Sequence, residues 1–387
     1  MNICKSGDDM FTVIKGAQVF SPFFIGQKDV WIVFDRIAAI DDDLSDRIDS
    51  DTIVIDGTGK RLVPGFIDQH VHITGGGGEG GFATRTPEID AVDLIKTGIT
   101  TVVGLLGTDG VTRSLEGLYA KARQLEEQGF STFIYTGNYA VPVMTFTGSI
   151  TKDLCLIDKV IGVGEIALSD HRSNQPTRAE IARIVSEARV GGMLSGKAGI
   201  TLFHMGDHPD GLKLIMEIVN ESSLPITQLL PTHVNRNRSL FLQAMEFARQ
   251  GGTIDLTAGF VPDAFCPDCV PAGQALQELL ANGIPLERIS MSSDGNGSIP
   301  IFDAAGNLLK MDVASCTVLL EDFQRAYLEY KIPFEQVLST VTINPAKLLK
   351  LQHRKGSLEI GKDADLLLMD DACNISLVMS MGKILTV

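Results

Sequence analysis

No uninterrupted apolar run in this chain is long enough to cross a bilayer, and its opening, Met1 to Lys15, carries Lys5, Asp8 and Asp9 where a secretory leader would have an apolar core. The expectation is a cytoplasmic protein. Basic excess is missing as well: 48 Asp and Glu against 33 Lys and Arg give a formal net charge of −15, which excludes a nucleic-acid or anionic-membrane partner in need of a cationic surface. A small substrate fits better. Cysteine is too sparse and scattered for a disulfide framework, and six free thiols suit a reducing compartment. Cys266-Pro267-Asp268-Cys269 has the spacing of half a zinc knuckle, but no second pair exists. Histidine is also scarce, with seven in 387 residues, so its placement carries information.

The apolar content, 44% of the residues, is enough to bury a large core, and the length suits one barrel-sized domain plus a smaller one. Short alternating segments come first, at Phe11 to Ile14, Asp29 to Val33 and Thr52 to Ile55, and read as a small β unit. From Gly65 the texture changes to apolar runs of strand length separated by helical patterns, the signature of a parallel sheet with crossover helices. The strands are expected at 65–72, Thr100 to Leu106, Thr132 to Gly137, Val163 to Leu168, Ile200 to Met205, Ile226 to Val234, Thr253 to Thr257 and Ile289 to Ser293. Helices are expected between them, then at Val313 to Tyr330 and Phe334 to Leu349. Ala364 to Met369 and Ile375 to Val387 return to strand texture and should rejoin the first β unit. The fold expected is therefore a (β/α)8 TIM barrel over 64–350, with a small β-sandwich domain built from 1–63 and 351–387.

In such barrels reactive side chains sit at the C-terminal ends of the strands. His70 and His72 end the first strand at alternate positions, so both imidazoles leave one face and can reach one metal ion. Glu165 lies on strand four before Asp170-His171-Arg172, His204 ends strand five, His233 strand six, and Asp294 follows strand eight. Four histidines and two carboxylates placed this way are the ligands of a two-metal site. His208 and His353 read as loop or surface residues. After His72 comes Thr74 and then Gly75 to Gly81, a backbone able to approach a ligand closely, with the carboxylate of Glu79 in its middle.

The residues now on the page resemble the amidohydrolase superfamily and, within it, the bacterial isoaspartyl (β-aspartyl) dipeptidases, along most of the chain. His-x-His on a strand marks the superfamily only. The narrower resemblance lies in Pro64 to His72, Gly75 to Glu79, Val103 to Thr108, Ser169-Asp170-His171-Arg172-Ser173, Phe203 to Asp207, Pro231 to Asn237 and Ser292 to Ser298. It implies two zinc ions per subunit. One would be held by His70, His72 and Asp294, the other by His204 and His233, with a bridging carboxylate from strand four and a hydroxide between them. Asp294 would be general base and then acid. Glu79 would receive the substrate α-amino group, Arg172 and Arg236 its carboxylates, while Gly77, Thr108 and Ser298 would add hydrogen bonds and Tyr139 would polarise the scissile carbonyl. An octamer is implied as well.

One position departs from that pattern. Strand four is expected to supply a lysine carboxylated by CO2, and the slot, counted back from Arg172, holds Glu165. Glutamate already carries a carboxylate but is three chain atoms shorter, so strand four must shift inward, for instance at Gly164, or the second metal must be bound differently. Lys159 precedes the strand. Two other readings stay open: an amidohydrolase acting on cyclic amides or N-acyl amino acids, and a non-catalytic scaffold with a structural metal.

Overall fold

The computed structural model of the chain describes residues 11–263, 266–303 and 307–386. Met1 to Met10, on which part of the reading of the opening rests, and Val387 lie outside the described residues. Each expected apolar run of the barrel forms a strand: Phe66–Val71, Ile99–Gly104, Ser131–Thr136, Val160–Leu168, Ile200–Met205, Leu229–Thr232, Ile254–Thr257 and Ile289–Ser292. The first six pair in chain order as one parallel sheet, and the last two form a parallel pair. A parallel bridge between Val71 and Gly295 brings the eighth strand back to the first. Helices between the strands cover their outer faces, so strands such as Ile99–Gly104 are buried on both sides and carry no polar alternation. The result is a (β/α)8 barrel with a β unit attached.

Local chemistry sets the helix ends. Arg178–Ser195, for example, starts from a capping box between Thr177 and Glu180 and stops at Gly196, which is left-handed. The barrel is laced internally where its backbone pairing is thinnest. Asp255, fully buried on strand seven, accepts hydrogen bonds from Gln69 Nε2 at 2.7 Å and Ser290 Oγ at 2.8 Å on one oxygen. Its other oxygen accepts from Thr232 Oγ1 at 2.8 Å and Ser292 Oγ at 2.6 Å. Strands one, six, seven and eight thus share one satisfied carboxylate.

Five segments differ from the sequence reading. Ile226–Gln228 is a single 3-10 turn, so strand six keeps only Leu229–Thr232. The helix expected from Val313 starts at Val318, because Leu308–Val313 pairs antiparallel with Ser298–Phe302 in a hairpin over the barrel mouth. The segment from Phe334 to Leu349 is two helices, Phe334–Val341 and Ile343–Leu348, broken at Thr342 ahead of Pro345, which has no amide hydrogen to continue the ladder. Ala91–Thr97 and Ile150–Leu156 are short helices that the sequence reading did not include.

Both ends of the chain share one sheet. Its strands are Phe11–Phe20, Phe24–Val33, Arg36–Asp41, Thr52–Asp56 and Arg61–Pro64, followed from the far end by Leu366–Met369, Ile375–Ser380 and Lys383–Leu385. Leu366–Met369 runs antiparallel to Arg61–Pro64 and is the seam between the termini. The sheet forks at its first strand, where Phe11 to Lys15 pairs with Thr52–Asp56 and Gln18 with Arg61. No helix among the described residues is long and apolar enough to cross a membrane.

Lys355 fastens this sheet to the underside of the barrel. Its ammonium is buried, lies 2.7 Å from Asp363, contacts Asp365, and donates to Ser131 Oγ at 2.6 Å. Replacing it by Met leaves buried Asp365 without its ion-pair partner among the described residues, which should cost about 3 kcal/mol or more. Urea unfolding of Lys355→Met is expected to show a clearly lowered midpoint; an unchanged midpoint would mean the lysine is not a fastening.

Candidate active site

Four imidazoles and two carboxylates meet at the C-terminal mouth of the barrel. His70 comes from strand one, Glu165 from strand four and His204 from strand five, while His72 and His233 lie one residue past strands one and six and Asp294 two past strand eight. His233 and Asp294 have left-handed backbones, φ +58° and +54°, a conformation that a non-glycine residue keeps only where its surroundings hold it. Glu165 stands in the centre. One of its oxygens is 3.3 Å from His72 Nε2; the other is 3.3 Å from His70 Nε2, 3.4 Å from His204 Nδ1 and 3.6 Å from His233 Nε2. Asp294 Oδ1 lies 3.3 and 3.1 Å from the Nε2 atoms of His70 and His72.

These approaches are not hydrogen bonds. His70 Nε2, His233 Nε2, Asp294 Oδ1 and both oxygens of Glu165 are buried without a hydrogen-bond partner, which is costly for polar atoms unless something else satisfies them. Three groups have ligand atoms within 4.8 Å of one another: His70, His72 and Glu165; His70, His233 and Asp294; Glu165, His204 and His233. Imidazole nitrogens and carboxylates are the donors that divalent cations such as zinc take, and Glu165 belongs to groups on both sides of the pocket. The residues therefore fit a metal centre.

Outer contacts fix the imidazoles. His233 Nδ1 is 2.8 Å from Thr257 Oγ1, and His204 Nε2 is 3.0 Å from Asp170 Oδ2. The hydroxyl of Tyr139 lies 2.8 Å from His204 Nδ1. Burial works against every charge in the pocket, and the charges work against burial. Burial pushes His233 down to about 3, so it is neutral with a lone pair to give. Burial opposes protonation of His72 too, but Asp294 and Glu165 lift it to about 9, and in the same way His70 lies well above the imidazole range. Burial likewise opposes ionisation of Glu165 and Asp294, yet His70 foremost holds both carboxyls well below the usual range.

Strand four does shift at the place the shorter side chain requires. Thr201 faces Val163 and Phe203 faces Ile166, so strand four carries one extra residue at Gly164–Glu165 opposite Leu202. Gly164 has φ +151°, and a Cβ there would meet Leu202 Cβ at 2.8 Å and Leu202 O at 2.9 Å. Lys159 is remote from this end: its amine is spent on Glu126 and Thr132 where strand four begins.

The other expected residues gather beside the histidines. A cavity of ≈1400 Å³ is lined by Gly77, Thr108, Tyr139, Arg172, Arg236 and Ser298, with His72, His204 and Asp294 among its inner residues. Glu79 stands just behind this wall. Its Oε1 accepts from Ser298 Oγ at 2.8 Å, Thr108 Oγ1 at 3.2 Å and Arg172 at 3.2 Å, while its Oε2 is buried without a partner. Arg172 is less free than its sequence position suggests, because Asp170 grips it through Nε at 3.0 Å and NH2 at 2.7 Å. Arg236 is freer: its closest carboxylates, on Asp170 and Asp207, are both 4.0 Å away, and its Nε is buried without a partner. His171 is exposed and packs its ring edge-on against Phe302 of the hairpin, 4.7 Å between centroids. His208 and His353 are exposed, as expected. Cys266 donates to the carbonyl of Arg236 at 3.4 Å, and neither it nor Cys269 joins a group of metal donors among the described residues.

Two participants were missed in the sequence. Asp170 was quoted only as part of a motif, and its grip on His204 and Arg172 is visible only in three dimensions. Arg113 carried no signal at all. It is buried and donates to the carbonyls of Thr74, Gly76 and Thr86, clamping the glycine-rich loop that bears Glu79.

The chain is similar to known proteins along its length. Residues 268–385 match the model of the Amidohydrolase family. A β-aspartyl dipeptidase from Fervidobacterium islandicum AW-1, solved in complex with β-Asp-Leu dipeptide, is 49% identical with a TM-score of 0.90, and the match covers 97% of both chains. An imidazolonepropionase from Geobacillus sp. (strain WCH70) is 22% identical over 91% of this chain and 86% of its own. D-hydantoinase from Thermus sp., at 16% identity and a TM-score of 0.67 over 96% of this chain and 94% of that one, shares the fold.

The carboxylate at position 165 is present from translation. Metal-free protein is therefore expected to regain zinc equally with and without bicarbonate, and Glu165→Gln, which keeps the shape but removes the negative charge among the four imidazoles, to lose or loosen bound metal. Zinc per chain measured in all four combinations decides the matter. Equal metal content in wild type and variant would remove Glu165 from the bridge, and bicarbonate dependence would require a carboxylated lysine.

Proposed function

We propose that this chain, which belongs to the β-aspartyl dipeptidase family of the amidohydrolase superfamily, hydrolyses the side-chain amide of β-aspartyl dipeptides at a pair of zinc ions. One observation supports the reading: a cluster of four imidazoles and two carboxylates that could hold metal lies beside a cavity lined by two arginines, with the carboxylate of Glu79 behind its wall. His70, His72 and Asp294 would hold one ion, His204 and His233 the other, with Glu165 between them. Two such ions, when bound, lower the pKa of water to near neutrality and polarise a carbonyl oxygen.

The chain's own residues do the rest. Asp294 stays ionised against burial because His70 and His72 face it, so it can take a proton from the attacking water and return it to the departing amine. Burial and Glu165 push the Tyr139 phenol well above its ordinary value. It therefore keeps its proton and serves as a donor for the carbonyl oxygen as negative charge grows there. Glu79 offers a buried oxygen with no donor among the described residues, and the substrate α-ammonium would supply one. Arg236 has capacity for two parallel hydrogen bonds to a carboxylate, and Arg172 presents NH1, the one terminal nitrogen that Asp170 leaves open. A cyclic amide or N-acyl substrate has no ammonium for Glu79, so this pocket gives that reading no support. The resemblance extends the proposal to an octamer, and the free cysteines at 155, 266, 269, 316 and 373 extend it to a reducing compartment such as the cytoplasm.

Zinc-loaded protein should cleave β-Asp-Leu, and absence of that hydrolysis would overturn the proposal. The N-acetylated dipeptide should be cleaved at least about a hundredfold more slowly, the size of a lost charged hydrogen bond of about 3 kcal/mol. Equal rates would take the ammonium away from Glu79. Arg236→Met should lower kcat/KM by a similar factor, since the substrate carboxylate is then buried and unpaired; an unchanged kcat/KM moves Arg236 out of the site.

A further inference from the structure

We propose that Asp170 is a positioning residue that sets both halves of the site at once: one carboxylate decides which nitrogen of His204 faces the metal pocket and which edge of Arg172 faces the substrate. The inference rests on the reading of the cavity as a metal-dependent dipeptidase site and adds to it a residue that touches neither metal nor substrate.

Asp170 is buried, 6% exposed. Its Oδ1 accepts from the backbone amide of Arg172 at 2.7 Å and from Arg172 Nε at 3.0 Å; its Oδ2 accepts from Arg172 NH2 at 2.7 Å and lies 3.0 Å from His204 Nε2. Arg172 NH2 and His204 Nε2 are themselves 3.2 Å apart. A guanidinium cannot accept a hydrogen bond, so the arrangement in which both nitrogens donate to the shared Oδ2 puts the His204 proton on Nε2. The lone pair is then on Nδ1, the nitrogen 3.4 Å from Glu165 Oε2 and 2.8 Å from the Tyr139 hydroxyl, which can donate to it where no metal is bound. This is the outer contact that selects a ligand tautomer.

The backbone leaves Asp170 little room to do anything else. Gly206, just past strand five, lies so close to the loop after strand four that a Cβ on it would meet Ser169 O at 2.3 Å and Asp170 Cβ at 2.5 Å, and its amide donates to Leu168 O at 2.9 Å. The ends of strands four and five are locked face to face, with Asp170 and His204 across the contact.

Asparagine at position 170 keeps the shape but has one acceptor oxygen where the carboxylate has two. If its NH2 faces Arg172 NH2 and His204, three donors meet, and His204 is relieved by moving its proton to Nδ1 and closing the lone pair the metal needs. If its NH2 faces the other way, Arg172 Nε loses its acceptor. The test is Asp170→Asn beside Arg172→Met and wild type, with zinc affinity, the absorption spectrum of the cobalt-substituted proteins, and kcat and KM on β-Asp-Leu. In Asp170→Asn we expect zinc affinity and kcat to fall about 10–100-fold, an altered cobalt spectrum and a raised KM. Arg172→Met should raise KM while keeping zinc affinity and the cobalt spectrum. Asp170→Asn with wild-type zinc affinity, spectrum and kcat overturns the proposal even if its Tm is lower, because a merely structural carboxylate would move Tm alone. A wild-type chain that takes up zinc but leaves β-Asp-Leu intact overturns the dipeptidase reading, whereas an active wild type with an indistinguishable Asn variant overturns only the role of Asp170.

Discussion

One carboxylate surrounded by four imidazoles sets the terms for the rest of this molecule. Glu165 is fully buried, and an ionised group in that position is stable only if cations or strong donors surround it. The four histidines come from strands one, five and six, so the carboxylate can meet them only at the barrel axis, at the level where those strands end. A glutamate does not reach that point from a regular strand as a longer side chain would. The extra residue falls at Gly164–Glu165, the carboxylate's own place on the strand, and Gly164 is the residue whose missing Cβ leaves room for Leu202. The short side chain, the bulge and the glycine are parts of one solution to one electrostatic requirement.

That requirement makes demands on the barrel. Groups held 3.1 to 3.6 Å apart by different strands stay so only if the strands cannot slide. Backbone pairing secures strands one to six, but among the described residues strands seven and eight pair with each other and meet strand one only at the bridge between Val71 and Gly295. The Asp255 network restores continuity, joining them to strands one and six with four hydrogen bonds to a single carboxylate. It lies beneath the metal-binding groups and holds their strands in register. Lys355 performs a parallel service outside the barrel, tying the terminal sheet to Ser131 at the start of strand three. Charged groups in this protein are buried where parts of the chain must be held in register.

Much of this was legible in the sequence, and for definite reasons. Strands buried on both faces are plain apolar runs, so Ile200–Met205 was read to the residue. Histidines scarce enough to count, at the ends of such runs, pointed to the pocket before any coordinates did. The hairpin Ser298–Phe302 and Leu308–Val313 was not legible, because its second strand merges in the sequence with the helix that follows and its faces are only partly buried. Strand six was overextended because Ile226-Thr227-Gln228 carries no glycine or proline to break the run into Leu229, and only the turn after Pro225 separates them. Arg172 showed its motif but not its grip by Asp170 two residues earlier. Partners close in sequence but joined by side chains leave no periodic trace. Arg113, which holds a loop through three carbonyl oxygens, leaves none at all, since the backbone carbonyl is the same at every residue.

The electrostatics of the site resolve an apparent conflict with the charge of the whole chain. A β-aspartyl dipeptide has two carboxylates and one ammonium, and a protein with a formal charge of −15 repels it at a distance. At physiological ionic strength charges farther than about 8 Å away are largely screened. What the substrate meets at the mouth is the local sequence Glu79, Arg172, Asp170, Arg236, whose signs alternate and sum to zero. Within it the pairings are unequal. Asp170 saturates one edge of Arg172 but stays 4.0 Å from Arg236, and Glu79 gives one oxygen to three donors while the other has none. The unsatisfied groups are thus one guanidinium and one carboxylate oxygen, the complements of a carboxylate and an ammonium on a single small molecule. On the dipeptidase reading, attraction in this pocket would come from the Arg236 and Glu79 groups left unpaired among the described residues, at a range where the net charge of the chain no longer matters.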